Sequence, residues 1–158
     1  MNKQTAFILS KIESVKPKRL LNIGFRHDSD QTILNYCAKN GITFDVIEIY
    51  EPNCSFLKNN KKINQIYNLD AADILTLNIK WDMIIWLHGP EHITFDKFKE
   101  IAPKIENSAK LVIYQAPEGE YPQEDIYGNV YERHVATLTE KMFKDLGYQT
   151  NNFIEYGE

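Results

Sequence analysis

The sequence predicts an α/β fold, a mostly parallel sheet with helices on both faces, and three observations carry that expectation. Short β-rich apolar runs alternate with segments of helical periodicity, the order that right-handed strand–helix–strand crossovers require. The chain has 158 residues, the size of one domain built around one core. Hydrophobic residues make up 43% and charged residues 25%, as in ordinary globular chains and unlike disordered or fibrous ones.

Each element follows from its own residues. Phe7, Ile8, Ile12 and Val15 recur at helical spacing ahead of Pro17, so 3–15 reads as an amphipathic helix, a lid or a packing helix. "LLNIG" (20–24) and "TFDVIEIY" (43–50) read as strands. Between them Ile33, Leu34, Cys37 and Ala38 share one helix side, with Gly41 just past its end. Pro52 suits the first turn of a further helix. "INQIYNL" (63–69), "WDMIIWLH" (81–88) and "KLVIYQA" (110–116) supply three more strands. A helix over 94–105 precedes the last of these, and Pro103 should shorten or kink it. Val135, Leu138, Met142 and Leu146, closed by Gly147, predict a long final helix, and "QTNNFIEY" (149–156) a closing strand. No repeat, low-complexity tract or linker divides the chain, so 1–158 is expected to be a single domain.

The net charge of −4 and pI near 5.6 provide no global attraction to phosphate backbones or anionic lipid. Nucleic-acid and membrane partners are therefore not expected. Lys16, Lys18 and Arg19, and Lys58, Lys61 and Lys62, read as solvated faces. Cys37 and Cys54 are the only thiols, and the opening apolar run is too short for a signal sequence, so a reduced, cytoplasmic setting is expected. Cys37 falls on an apolar helix side and reads as a small buried hydrophobe. The longest apolar run, "MIIWL", is far short of the roughly 20 residues that span a bilayer.

Open parallel sheets bind ligands beyond the carboxyl ends of their strands, where strand order reverses. That rule selects Gly24 to Asp28, Glu48 to Glu51, Asp70 to Asp73, His88 to His92 and Gln115 to Glu120. Glu48 follows Gly24 by 24 residues, near the offset at which a carboxylate accepts from ribose hydroxyls. A solvated strand-end acid has the same spacing. In "LHGPEH", His88, Glu91 and His92 surround a Gly-Pro turn, and two imidazoles with one carboxylate suit acid–base work, substrate positioning, or a structurally satisfied turn. The spacing His-x-x-Glu-His occurs in a zinc-peptidase class, but on a helix that Gly89 and Pro90 interrupt, so no metal is expected here. "YGNVYERH" (127–134) is expected to run into the final helix. Glu132 would then simply complement the helix dipole, while His134, beside Tyr127 and Tyr131, is a candidate substrate-side group.

Together "LLNIGFRHDSD", "VIEIYEPN", "LDAADI", "WDMIIWLHGPEH", "KLVIYQAPEGEY" and "GNVYERHVATLTEKMFKDLGY" resemble class I S-adenosylmethionine-dependent methyltransferases over about residues 18–150. The resemblance implies a Rossmann-like methyltransferase fold that binds S-adenosyl-L-methionine. Its methionine part would lie on the loop Gly24, Phe25, Arg26 and Asp28, its ribose on Glu48 beside Ile49, and its adenine near Asp70 and Ala71, with His88 also lining the site. If the chain transfers a methyl group, His88, Glu91 and His134 are the candidates for base or positioner. Asn22 replaces the family's first-strand acid, and Arg26 and Asp28 its second and third glycines. Either Arg26 pairs with the cofactor carboxylate or it fills the crevice. One closing strand is visible where the family commonly has two, so a sheet truncated at its C-terminal strand is expected.

Two functions follow. One is methyl transfer to a small-molecule or protein acceptor met by the first helix and the acidic loop 117–130, which has the composition of a mobile lid. The other is a catalytically silent binding module of the same fold. A dinucleotide oxidoreductase is disfavoured by the missing glycines and the missing second nucleotide half.

Overall fold

The computed structural model describes residues 2–153. Five strands form one wholly parallel sheet in the order β3-β2-β1-β4-β5: β1 (Arg19–Ile23), β2 (Thr43–Glu48), β3 (Gln65–Asn68), β4 (Trp81–Leu87) and β5 (Ala109–Gln115). Strand order reverses at β1, which pairs with β2 on one side and β4 on the other. Chain order therefore creates a crevice at the carboxyl ends of β1 and β4.

Helices cover both faces. On one, α1 (Lys3–Val15) and α2 (Thr32–Lys39) place Ile8, Ile12, Ile33, Leu34 and Cys37 against Leu20, Phe44, Val46, Met83 and Ile85, and α3 (Glu51–Leu57) adds Leu57. On the other, α4 (Phe95–Glu106) places Phe98, Ile101, Ala102 and Ile105 against Leu21, Ile23, Ile47, Ile84 and Trp86. Alternate residues of β1 and β4 thus serve opposite cores, as the two-residue period of a strand dictates. Asn2 caps α1 by accepting from Thr5 N–H at 2.7 Å, and Lys16 ends it in the left-handed conformation. Burial pushes the thiol of Cys37 up to about 12 and that of Cys54 up to about 11, so both are inert.

Strands and early helices lie within two residues of their sequence-derived bounds. Pro103 does not shorten α4, which runs on to Glu106. The larger correction concerns the final third. Val135, Leu138, Met142 and Leu146 do not share a helix: α5 spans only Glu140–Asp145. Val135 and Ala136 N–H donate to the Glu91 carbonyl at 2.9 and 3.1 Å, and the Leu138 carbonyl accepts from Gly119 N–H at 2.7 Å. Those long-range bonds hold the backbone extended until Thr139 caps α5, and tertiary pairing overrides the periodicity. Of the expected closing strand, residues 149–153 are not strand, and 154–156 lie outside the described residues. No helix among the described residues is long and apolar enough to cross a membrane.

Candidate functional site

A cleft of about 1360 Å³ opens over the carboxyl ends of the strands. Gly24, Arg26, Glu48, Ile49, Asp70, Ala71, His88 and Glu91 line it from the sheet side, and Tyr121, Gln123, Glu132 and His134 from the segment 117–139. Its floor begins where β1 ends. Gly24 has φ +74, a left-handed conformation in which L side chains are strained, and its N–H donates to the Ile47 carbonyl at 2.8 Å. The chain thereby turns out of the sheet and leaves backbone facing the cleft. Phe25 points the other way: it is 2% exposed and packs edge-on against Phe44, so only its backbone is available to a ligand.

Arg26 neither fills the crevice nor stands free. Its guanidinium forks onto Asp28 at 2.9 and 3.0 Å and reaches Glu132 at 2.5 Å. Asp28 consequently faces Arg26 and a smaller side hollow rather than the main cleft. Glu132 is not a helix-dipole partner, since it belongs to a short 3₁₀ turn, Val130–Glu132, whose acid ties the overlying segment to the β1 loop. Sequence spacing carried no signal for this pair, which lies 106 positions apart.

Glu48 ends β2, is 4% exposed, and accepts from Tyr50 N–H at 2.7 Å. Burial pushes its carboxyl up to about 7; the Tyr50 hydrogen bond and Arg26 pull it down, and Glu132 pushes it further up. A buried acid at the edge of an open cleft is prepared to accept from a ligand's hydroxyls. Asp70 accepts from Ala72 N–H at 2.8 Å and caps the 3₁₀ turn Ala71–Leu77, placing Ala71 at the cleft wall.

Beyond β4 the backbone is strained. His88 has φ +51, which a non-glycine residue adopts reluctantly, and its N–H donates to the Gln115 carbonyl at 2.9 Å. Gly89 lies over Trp86 so closely that a Cβ there would fall 1.6 Å from the indole nitrogen. This turn delivers Glu91, 1% exposed, into the protein with His88 Nδ1 3.6 Å from its Oε1. His134 arrives from an irregular segment, not from a helix, and its ring meets that of His92 at 4.9 Å. The structure therefore brings together four residues singled out in the sequence, His88, Glu91, His92 and His134.

No family model and no curated protein matches this chain. Solved structures do. The chain is similar to a SAM-dependent methyltransferase from Archaeoglobus fulgidus, at 15% identity, TM-score 0.61, covering 91% of this chain and 69% of the other. It is similar also to the methyltransferase domain of bacterial CtHen1-CN, at 15% identity, TM-score 0.67, covering 90% and 79%. YjhP from E. coli superposes at 17% identity, TM-score 0.53, covering 94% and 66%. The wholly parallel sheet, its reversal at β1 and these superpositions agree that the chain has the fold of the class I S-adenosylmethionine-dependent methyltransferases.

Proposed function

We propose that the chain is an S-adenosylmethionine-dependent methyltransferase acting on a small molecule or a protein side chain. The observation that carries this reading is the pairing, in one cleft at the point of strand reversal, of left-handed Gly24 with buried Glu48. Gly24 and Arg26 backbone would hold the methionine part, Glu48 the ribose, and Ile49, Asp70 and Ala71 the adenine. The acceptor would enter beneath segment 117–139, whose Tyr121 and His134 line the same cleft. Methyl transfer demands chiefly an aligned nucleophile, with a base only where the acceptor must lose a proton. His88, 62% exposed at its side chain, and His134 would supply that base, with Glu91 as positioner.

The engagement of Arg26 by Asp28 and Glu132 favours the second reading, a cofactor-free module, only if that network survives ligand addition. Thermal-shift titration decides. At 100 times its dissociation constant, S-adenosylhomocysteine should stabilise the protein by about 2.7 kcal/mol. Glu48→Ala should remove the shift. No shift in the wild-type protein would refute the enzyme reading, and an unchanged titration of Glu48→Ala would refute the ribose assignment.

A further inference from the structure

The carboxyl of Glu91 is the most anomalous polar group among the described residues. It is 1% exposed, and neither oxygen has a hydrogen-bond partner. Its backbone carbonyl is engaged, accepting from both Val135 and Ala136 N–H. The other fully buried acid, Asp45, accepts from Arg19 Nε, Asn64 Nδ2 and Trp81 Nε1 at 2.6 to 2.8 Å, as a structural acid should. Neighbouring basic side chains do not hydrogen-bond to Glu91. His88 Nδ1 is beyond hydrogen-bonding length at 3.6 Å, and Arg133 is paired with Asp125 and Glu124. A carboxyl left without donors in the interior destabilises the fold unless something absent from the protein itself completes it.

Two imidazoles face the same place. His92 Nδ1 lies 3.2 Å from the Arg133 carbonyl, and His134 Nδ1 lies 2.5 Å from the Tyr121 carbonyl. A carbonyl can only accept, so in both rings Nδ1 is the donor and Nε2 is the nitrogen left for a ligand. Backbone carbonyls that fix this tautomer are the usual outer partners of metal-binding histidines. One ligand atom from each of Glu91, His92 and His134 lies within 4.8 Å of the others.

We infer that Glu91, His92 and His134 form a binding site for one divalent transition-metal ion, with its open coordination positions facing the cleft. Two neutral imidazoles and a carboxylate suit ions of the Mn²⁺ to Zn²⁺ series better than Ca²⁺ or Mg²⁺, which prefer all-oxygen shells. Ligand atoms around a tetrahedral ion with bonds of about 2.1 Å are about 3.4 Å apart. Closing from the present separation requires a modest inward movement of His92 and His134, which are both only half-buried and flank irregular backbone. The Gly-Pro turn that excludes a helical His-x-x-Glu-His motif does not exclude this site, because its third ligand comes from 42 residues downstream of His92. The inference does not depend on methyl transfer. An ion here would provide a Lewis acid on the acceptor side of the cleft, leaving His88 as the available base.

The test uses the full chain, without a polyhistidine tag, stripped with chelator and titrated with Co²⁺, Zn²⁺, Mg²⁺ and Ca²⁺ in the absence of any cofactor. One equivalent of Co²⁺ should bind with a visible d–d spectrum and raise Tm, and Zn²⁺ should displace it. His134→Ala should weaken binding at least tenfold. Glu91→Gln should raise the Tm of the metal-free protein, because it removes the unpartnered carboxyl, while abolishing the Tm rise with Co²⁺. If that variant fails to fold, His134→Ala, on an irregular surface segment, still decides. Absence of stoichiometric Co²⁺ binding, undiminished binding by a His92→Ala/His134→Ala double variant, or equal stabilisation by Mg²⁺ would overturn the assignment.

Discussion

Two glycines flank Trp86, and they matter for opposite reasons. At Gly24 a Cβ would meet the indole only at 3.8 Å, an ordinary contact, but φ is +74. At Gly89 φ is −130, outside the left-handed region, but a Cβ would lie inside the indole at 1.6 Å. Gly24→Ala should therefore cost about 1–2 kcal/mol through backbone strain alone and leave Trp fluorescence unchanged. Gly89→Ala must displace Trp86, which should cost about 3 kcal/mol and shift the emission maximum. Chemical denaturation followed by fluorescence separates the two; equal spectral shifts would contradict this account. The first glycine was legible from its place after an apolar strand. The second read only as a helix breaker, since nothing in "LHGPEH" reveals which aromatic ring lies beneath it.

At the scale of elements, the strands are joined below the site by one buried acid. Asp45 on β2 accepts from Arg19 on β1, from Trp81 on β4 and from Asn64 just before β3. Removing it leaves two buried or half-buried donors and one guanidinium unpaired at once. Asp45→Ala should lose about 3–5 kcal/mol, measured by denaturant unfolding, without altering the residues of the cleft. A loss below about 1 kcal/mol would show that water replaces it. The elements themselves were readable where local pattern and tertiary demand agree, as in α1, with its Asn2 cap, and in β4, whose apolar run is buried on both faces. They were misread between residues 130 and 146. There, apolar spacings of three and four coincide with helical period, yet only Leu138 of the four marker residues is buried, while Val135 and Leu146 are exposed.

The pH response of the whole molecule should be governed by Glu48. Its folded-state value of about 7 lies above the ordinary 4.5 because burial disfavours the charged form. The folded chain therefore binds this proton more tightly than the unfolded chain. The corresponding stability is complete below the unfolded value and declines as pH rises from about 4.5 to about 7, by up to about 3 kcal/mol. Glu48→Gln should flatten that decline and exceed the wild type in stability at pH 8, measured by urea unfolding at several pH values. A ligand whose hydroxyls donate to the carboxylate should show affinity that rises through the same window, because it favours the ionised form. A wild-type profile that is level between pH 5 and 8 would refute the role assigned to burial.

The sequence by itself determined the alternation of strands and helices and the presence of Gly24, Glu48 and His88 at strand ends, because these follow from local periodicity; the strand order that reverses at β1 came from the tertiary pairing. Tertiary structure alone decided that Arg26 is held by Asp28 and Glu132, that Glu91 is left without a donor, and that His134 comes to face His92. Those outcomes depend on which distant backbone and side chains converge, and contacts across 41 to 106 positions leave no periodic trace in the chain.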